Sequence, residues 1–340
     1  MDKEWESVEG SLVLSGSAQK PQENPFSSNI SPRIQTQKRA RIWAVGGGKG
    51  GVGKSLICAN VCWVMARKGR RVLAIDLDLG GANLHTCLGV TPPKVGIGDW
   101  VEGRVDHLRQ LMVPTAQVGL LHISGYNDPL KILSLMEKRV DAFLDQIREM
   151  DFDEVFIDLG AGTHDLTIKF FNAADNGLLS ILPEPTSVEN AYRFIRALFY
   201  ERLMQADVPK GVRDVIEAAI DTKNILGLRA PVDLFAVVER LDPEACEILR
   251  KQASTLSPHI VINQVRTQVD IDVGKAICSV SRRFFGIDLK YAGYIDYDNS
   301  VWKAIRSKRP AVAEFPRSPL STRLEKLTEA LMKEEIKNSP

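Results

Sequence analysis

The fold is decided by Gly48-Lys-Gly-Gly-Val-Gly-Lys-Ser55, a glycine-rich stretch with a lysine near each end. Its spacing is G-x-x-x-x-G-K-[ST], in which backbone N–H groups surround the phosphates of a nucleotide. The amine of Lys54 then reaches the β- and γ-phosphate oxygens, and the Ser55 hydroxyl meets Mg²⁺. We therefore predict that a bound nucleotide contacts the loop and the residue after it: Gly48, Lys49, Gly50, Gly51, Val52, Gly53, Lys54, Ser55 and Leu56.

The sequence on both sides of this loop has the pattern that a phosphate-binding loop needs. Arg41-Ile-Trp-Ala-Val45 is a short apolar strand that runs into the glycines. From Lys54, residues recur at helical spacing as far as Arg67, and Lys68-Gly69 is a typical C-terminal stop. The predicted helix points its N-terminus, which carries partial positive charge, at the phosphates.

Composition narrows the class of protein. The 340 residues are 44% hydrophobic and 26% charged, which is typical of a globular protein with a large core. Lys plus Arg is 44 against 43 Asp plus Glu, so contact with nucleic acid or membrane would need a local patch. The five cysteines form no Cys-x-x-Cys pair, and no apolar run is long enough to span a membrane. We predict a cytoplasmic protein.

Apolar strand-like runs alternate with helical patterns from residue 41 onward. This alternation predicts an α/β fold, a three-layer, doubly wound and mostly parallel sheet covered by helices on both faces. Such sheets bind ligands at the carboxyl ends of their strands. The predicted strands after the first are 71–76, 119–124, 154–158, 177–182, 259–263 and 290–295.

The chain divides into three parts by composition. Residues 1–39 are rich in Ser, Pro, Gln and Asn, and we predict a disordered polar tail. Residues 40–317 form the nucleotide-binding domain, with a helical insertion at about 206–257 that has no convincing strand. Residues 318–340 form an amphipathic helix with a stripe of leucines: Leu320, Leu324, Leu327 and Leu331.

Polar residues follow several of these strands at the predicted ligand-binding edge. Asp76 ends one strand and can hold a water on Mg²⁺, although a turn-capping role is also open, and Asp78 could orient the attacking water. Asp158 is a direct or indirect Mg²⁺ anchor, and the glycines that follow it leave a backbone N–H free to sense a γ-phosphate, with Gly162 among the predicted nucleotide contacts. Asn263 could pair with the adenine edge, or it could hold a turn. The predicted metal-site residues are Ser55, Asp76 and Asp158.

These motifs resemble those of the MinD/ParA family of deviant-Walker ATPases. The resemblance rests on Lys49-Gly-Gly-Val-Gly-Lys-Ser55, Asp76-Leu-Asp-Leu-Gly-Gly-Ala-Asn83 and Asp158-Leu-Gly-Ala-Gly162. Residues 293–298, followed by Val301, Ala304, Ile305 and Pro310, are similar to the family's last strand and helix. The resemblance covers roughly residues 41–317. Within the family, Asp78-Leu-Gly-Gly-Ala-Asn-Leu84 looks closest to the branch that sets flagellar number and placement.

The resemblance implies an ATPase that dimerises when it binds ATP and Mg²⁺. It implies that Lys49 crosses to the nucleotide of the partner subunit, and that Lys54 and Ser55 hold phosphate and Mg²⁺. Asp78 would position water, and Asn263 would lie near adenine. It also implies a protein partner that stimulates hydrolysis. The expected function is a spatial switch for flagellar number, flagellar placement or cell division.

Two departures from the family pattern stand out. Leu56 replaces the usual Ser or Thr and removes one side-chain contact to the α-phosphate, but backbone N–H groups can still bind it. The 206–257 segment is longer than the family core usually carries. Partner specificity therefore cannot be copied from any one branch.

Other functions remain open from the sequence. The last helix could place the protein peripherally at a membrane or cell pole, but its charges cancel, which favours packing against the domain. A partitioning ATPase would bind DNA through a basic patch such as Lys275, Arg282, Arg283 and Lys290. Metal-cofactor maturation would need a close cysteine pair at a dimer interface, and a nucleotide-sensing adaptor would bind ATP without turnover.

Overall fold

The structure, a computed structural model, describes residues 39–125, 129–221 and 226–337. Within these ranges the strands are Arg41–Gly46 (β1), Val72–Leu77 (β2), Val113–Pro114 (β3), Leu120–Ile123 (β4), Glu154–Leu159 (β5), Asn176–Ile181 (β6), His259–Val265 (β7) and Lys290–Asp296 (β8). The predicted polar tail lies outside the described residues, apart from its last position.

The described strands form one sheet in the order β3-β4-β2-β5-β1-β6-β7-β8. Neighbouring strands are parallel except β3 and β4, which are antiparallel. The predicted fold class is confirmed. Strand β3 escaped prediction because it is only two residues long and one of them is Pro114, which suits an edge but not a strand interior.

Helices form most of the connections between the strands. They run Lys54–Arg67 (α1), Leu84–Leu88 (α2), Ile97–Val101 (α3), Pro129–Glu137 (α4), Val140–Arg148 (α5), Asp165–Ala173 (α6), Pro185–Met204 (α7), Lys210–Ile220 (α8), Leu234–Leu241 (α9), Pro243–Ser254 (α10), Gln268–Phe285 (α11), Ser300–Arg306 (α12), Ala311–Glu314 (α13) and Pro319–Lys337 (α14). Short 3₁₀ turns occur at Leu108–Leu111 and Pro231–Asp233.

Side chains alternate between two hydrophobic cores, one on each face of the sheet. On β1, Ile42 and Ala44 belong to one core, whereas Trp43 and Val45 belong to the other. The first core contains aromatic residues of α5, α6 and α7, and the second contains α1 and α14. Burial on both faces explains why the strands are continuously apolar.

The segment 206–257 is helical where it is described. Ile216 of α8, Phe235 of α9 and Leu249 of α10 are fully or nearly buried and belong to the first core. Asp242 caps α10 by accepting a hydrogen bond from the N–H of Ala245 at 2.9 Å. These helices contact α7 and one another, so they extend the first core.

Helix α14 packs against the second core through its leucine stripe. Leu320, Leu324, Leu327 and Leu331 are each at most 3% exposed. The polar face is tied to α1 by ion pairs from Arg67 to Glu325 at 2.5 Å and from Lys68 to Glu329 at 2.9 Å. In the part of the chain that the structure describes, no helix is both long and apolar enough to cross a membrane.

Candidate functional site

The glycine-rich loop lies between β1 and α1, at the carboxyl edge of the sheet. Gly53 precedes the first helical residue with φ of +88°. A Cβ there would also collide with the side-chain amide of Asn263, so the position requires glycine for two separate reasons. Gly48 is equally restricted, because a Cβ would collide with the backbone of Asn190 in α7. The loop tip, Gly50 and Gly51, is open.

The carbonyl of Val52 is held from below by two side chains. Ser180 of β6 donates its hydroxyl hydrogen to this oxygen at 2.7 Å, and Nδ2 of Asn263 donates to it at 2.9 Å. The Oδ1 of Asn263 accepts from the N–H of Gln264 at 2.9 Å. Both ends of the Asn263 amide are therefore in use within the protein, which is the structural role that the sequence left open. The adenine contact stays a prediction.

Lys54 and Ser55 occupy the first turn of α1. Lys54 is only 7% exposed, and its Cδ lies 3.3 Å from where a Cβ on Gly47 would be. Ser55 is half-buried, and Leu56 after it is 9% exposed. The Lys54 side chain therefore runs past Gly47 near the N-terminus of the helix, where its charge and the helix would both attract phosphate oxygens.

Asp76 and Asp158 are opposite each other in the register of β2 and β5, and both are fully buried. Burial is the main reason that the pKa of Asp76 is raised to about 7, and the charge of Asp78 adds to the effect. The pKa of Asp158 is also raised, first by burial and then by Asp76, while the nearby Ser55 hydroxyl and Lys54 ammonium oppose the rise. Two like charges therefore share one desolvated site.

The two buried carboxylates fit a divalent cation. Asp76 accepts backbone hydrogen bonds from Asp78 and Leu84, both at 3.0 Å. Neither oxygen of Asp158 makes a hydrogen bond of normal geometry among the described residues, although the Ser55 hydroxyl lies nearby. Since a buried carboxylate without a partner is costly, a cation or its bound water would satisfy it. Within the same residues no group of three or more His, Cys, Asp or Glu side chains could hold a metal alone. Mg²⁺ would thus share ligands with phosphate, as is usual.

Asp78 lies at the mouth of this site. Its carboxylate is 3.5 Å from the positions that Cβ atoms on Gly81 and Gly160 would take, so it lies beside the loop that follows β5. That loop is joined to the phosphate loop, because the N–H of Gly162 donates to the carbonyl of Gly47 at 3.1 Å. This N–H is therefore not the free donor that the sequence predicted. Gly162 has φ of +91°. The structure therefore brings three separate motifs to one place.

The side chain of Lys49 contacts residues of the same chain. Its Nζ lies 3.5 Å from Oε2 of Glu184 and 3.4 Å from Oγ1 of Thr186, at the start of α7. The lysine and glutamate side chains are 40% and 56% exposed, so this is a weak surface contact. Its predicted role toward a second subunit stays a prediction.

Several residues near the site had not been predicted. Ser180 and Glu184 belong to no motif, and only the three-dimensional contacts with Val52 and Lys49 make them visible. Gln264 has φ of +59°, which is strained for a residue with a side chain, and it directly follows Asn263. Next to it, the Arg266 guanidinium stacks on the Tyr297 ring at 3.9 Å.

Comparison with known proteins places this site in a family context. The family model described as the CobQ/CobB/MinD/ParA nucleotide binding domain matches residues 43–311. That range includes the glycine-rich loop and both buried aspartates. It ends within α13.

Two of the relatives are an antiactivator and a flagellum site-determining protein. The antiactivator FleN of Pseudomonas aeruginosa is 28% identical over 283 residues, which is 83% of this chain and 82% of FleN. The flagellum site-determining protein YlxH of Helicobacter pylori is 34% identical over 156 residues, covering 45% of this chain and 52% of YlxH.

Solved structures share the fold. The septum site-determining protein MinD of Pyrococcus horikoshii, solved with Mg-ADP, aligns with a TM-score of 0.60 at 20% identity. The alignment covers 88% of this chain and 100% of that protein. At this identity the likeness concerns the fold alone.

Proposed function

The chain belongs to the CobQ/CobB/MinD/ParA nucleotide-binding domain family, and we propose that it is a Mg²⁺-dependent ATPase that acts as a spatial switch for flagellar number or placement. The fold and family are those of P-loop ATPases. The proposal adds that this chain binds ATP with Mg²⁺, hydrolyses it slowly, and forms a dimer only in the ATP-bound state.

One observation carries the proposal. The phosphate loop, the buried pair Asp76 and Asp158, and the more accessible Asp78 meet at the carboxyl ends of β1, β2 and β5. The buried Asp158 carboxylate has no hydrogen bond of normal geometry among the described residues, and Asp76 beside it is just as buried, which is unfavourable in a protein without a ligand. Their arrangement beside Lys54 suits a site that is completed by a cation and phosphates.

Each protein group has a role that follows from its position. Lys54 would neutralise phosphate oxygens from beneath the loop, and backbone N–H groups of α1 would bind them from the side. Ser55, Asp76 and Asp158 would hold Mg²⁺ directly or through water, and the ion would reduce the negative charge that develops on the phosphates. Asp78 faces the mouth of the site and is free to orient a water for attack.

Dimer formation would require Lys49 to change partners. In the single subunit its amine is held near Glu184, at a contact that is exposed and weak. A γ-phosphate on a second subunit carries more negative charge than one carboxylate, so the lysine would leave Glu184 when the two loops meet. A protein partner could then stimulate hydrolysis by completing or stabilising this arrangement.

The relatives suggest the process that the switch serves. FleN is an antiactivator and YlxH is a flagellum site-determining protein. A function in flagellar number or placement is therefore the first choice, and division-site placement, as in septum site-determining relatives, is the second.

A DNA-partitioning role has weaker support. Lys275 forms an ion pair with Asp272 at 3.4 Å, and Arg282 pairs with Asp288. These carboxylates reduce the positive potential of the patch that DNA would use. Metal-cofactor maturation is also weakly supported, since burial raises the pKa of the Cys58 thiol and disfavours the thiolate that binds metal.

The test combines turnover with dimerisation. We expect wild-type protein to hydrolyse ATP only with Mg²⁺, and Lys54→Ala to abolish nucleotide binding. Asp78→Ala should bind ATP and accumulate as a dimer in sedimentation velocity, with hydrolysis lowered at least tenfold. Lys49→Ala should bind ATP as a monomer. If Lys49→Ala dimerised and turned over normally, the trans-lysine role would be wrong.

The trapped Asp78→Ala dimer also serves to find the partner. Affinity capture with this variant in ATP, compared with Lys54→Ala as the matched negative, should retain a flagellar or division protein. Recovery of the same proteins by both variants would show that capture does not depend on the nucleotide state, which contradicts a switch.

A further inference from the structure

Helix α12 and the turn after it present an exposed face that the ATPase site does not use. Trp302 is 49% exposed and Ile305, one helical turn later, is 41% exposed. Lys303, Arg306 and Lys308 are exposed beside them. We call these five residues the α12 face. Exposed tryptophan and isoleucine on the same short helix form an apolar spot with a cationic border.

The positive charge of this face is not neutralised. Residues 299–313 contain four Lys or Arg and no Asp or Glu. Where the structure describes the chain, only the fourth of these, Arg309, has an ion pair, with Glu314 at 3.0 Å. In the described part of the chain Lys303, Arg306 and Lys308 have no carboxylate partner, unlike Lys275 and Arg282 on α11. The border is therefore free to attract anions.

We propose that the α12 face docks on an anionic lipid surface. The Arg306 guanidinium lies 5.4 Å from the centre of the Trp302 ring, so charge and aromatic surface are presented together. A tryptophan with an apolar body and a polar N–H suits the boundary between lipid chains and headgroups. Lysine and arginine stems can lie along the apolar spot while their charges reach the phosphates.

Other occupants explain less of what is exposed. Nucleic acid would pair its phosphates with the three cations and stack a base on Trp302, but it would leave the aliphatic side chain of Ile305 without an apolar contact. A stable protein partner needs about 800 Å² per side, more than a seven-residue helix supplies. A lipid surface needs no matched shape. The leucine stripe of α14 is not available for this purpose, because it is buried in the second core.

The face is joined to the nucleotide site through α2. The carbonyl of Lys308 lies so close to Gly89, directly after α2, that a Cβ on that glycine would collide with it. At its other end α2 begins with Leu84, whose N–H donates to Asp76 at 3.0 Å. Helix α2 is thus a continuous route of contacts by which a change at Asp76 would reach the α12 face. This nucleotide dependence rests on the proposed function, whereas the lipid contact does not.

The test uses full-length protein and vesicle flotation. Wild-type protein should float with vesicles of phosphatidylcholine mixed with phosphatidylglycerol and remain behind with pure phosphatidylcholine. Lys303→Gln, Arg306→Gln and Lys308→Gln together should lower the partition coefficient on the order of 100-fold. Trp302→Ser with Ile305→Ser should lower it as well. Matched controls on α11 are Val269→Ser, which replaces an apolar side chain that is 74% exposed, and Lys275→Gln with Arg283→Gln.

Several results would overturn the proposal. Equal flotation with both lipid mixtures, or equal losses in the face variants and the α11 controls, would contradict it. So would retention on double-stranded DNA, but not on vesicles, that is lost with the same three cations. If the face variants fail to float yet keep basal ATP turnover and their circular dichroism spectrum, the result supports the α12 face. If the wild-type protein showed no ATP turnover, that result would count against the proposed function and not against the lipid contact.

Discussion

The double support of the Val52 carbonyl leads to a prediction about energetic coupling. Ser180 and Asn263 come from different strands, β6 and β7, and both donate to the same buried oxygen, at 2.7 and 2.9 Å. Replacing either one by alanine leaves the oxygen with one donor. Replacing both leaves it buried with none, so the two changes should not be additive.

The magnitudes follow from counting hydrogen bonds. Ser180→Ala loses one buried hydrogen bond and should lower the free energy of unfolding by about 1 kcal/mol. Asn263→Ala loses two, including the bond from the N–H of Gln264, and should cost about 2 kcal/mol. The double variant also leaves the Val52 carbonyl without a partner, which adds about 1–3 kcal/mol. We therefore expect a total loss of about 4–6 kcal/mol.

The assay is urea denaturation of the nucleotide-free protein, with all four members of the cycle measured at one pH. Nucleotide binding is measured separately, since a loosened loop should also bind ATP more weakly. Additivity within about 0.5 kcal/mol would refute the shared-acceptor reasoning. If Asn263→Ala kept wild-type stability but lost the preference for ATP over GTP, the result would support the predicted adenine contact instead.

Three further predictions concern Lys49, the buried aspartates and α14. Glu184→Gln should strengthen ATP-dependent dimerisation by up to about fivefold in sedimentation, because an exposed ion pair is worth at most about 1 kcal/mol, and weaker dimerisation would contradict the competition. The pKa of Asp76 is raised to about 7 in the folded protein, so its contribution to the free energy of unfolding is fully present below pH about 4. This contribution falls by up to about 4 kcal/mol as the pH rises to about 7. The difference in free energy of unfolding between wild type and Asp76→Asn should show this dependence on pH, and Mg²⁺ with nucleotide should offset the loss. A difference that does not change with pH would contradict the raised pKa. Leu324→Ala should cost about 2–4 kcal/mol, against at most about 0.5 kcal/mol for Leu241→Ala at a site 58% exposed; equal costs would mean that α14 is not part of the core.

The sequence predicted the features that depend on local pattern. The glycine-rich loop has a fixed spacing because phosphates must meet consecutive N–H groups, so the position of Lys54 could be predicted from the amino-acid sequence. Asp76 and Asp158 could be placed at one edge because parallel strands end together. The family prediction is confirmed by the match over residues 43–311.

Features that depend on contacts between distant segments could not be predicted. Ser180 is an ordinary strand residue until its hydroxyl is seen on Val52, which is 128 positions away. The direction of Lys49 depends on Glu184 at the start of another helix. The left-handed backbone of Gln264 has no signature, because glycine or asparagine would normally mark such a position. These residues set the geometry of the site without belonging to a motif.

Helix α7 connects the phosphate loop to a distant surface. Its first turns touch Lys49 and Gly48, through Thr186 and the backbone of Asn190, and its far end carries α8 and α10. With 20 residues it is a rod about 30 Å long. A tilt of a few degrees at the loop would become a displacement of an ångström or more at the other end. A rotation of α7 at the phosphate loop would therefore displace α8 and α10, far from the nucleotide itself.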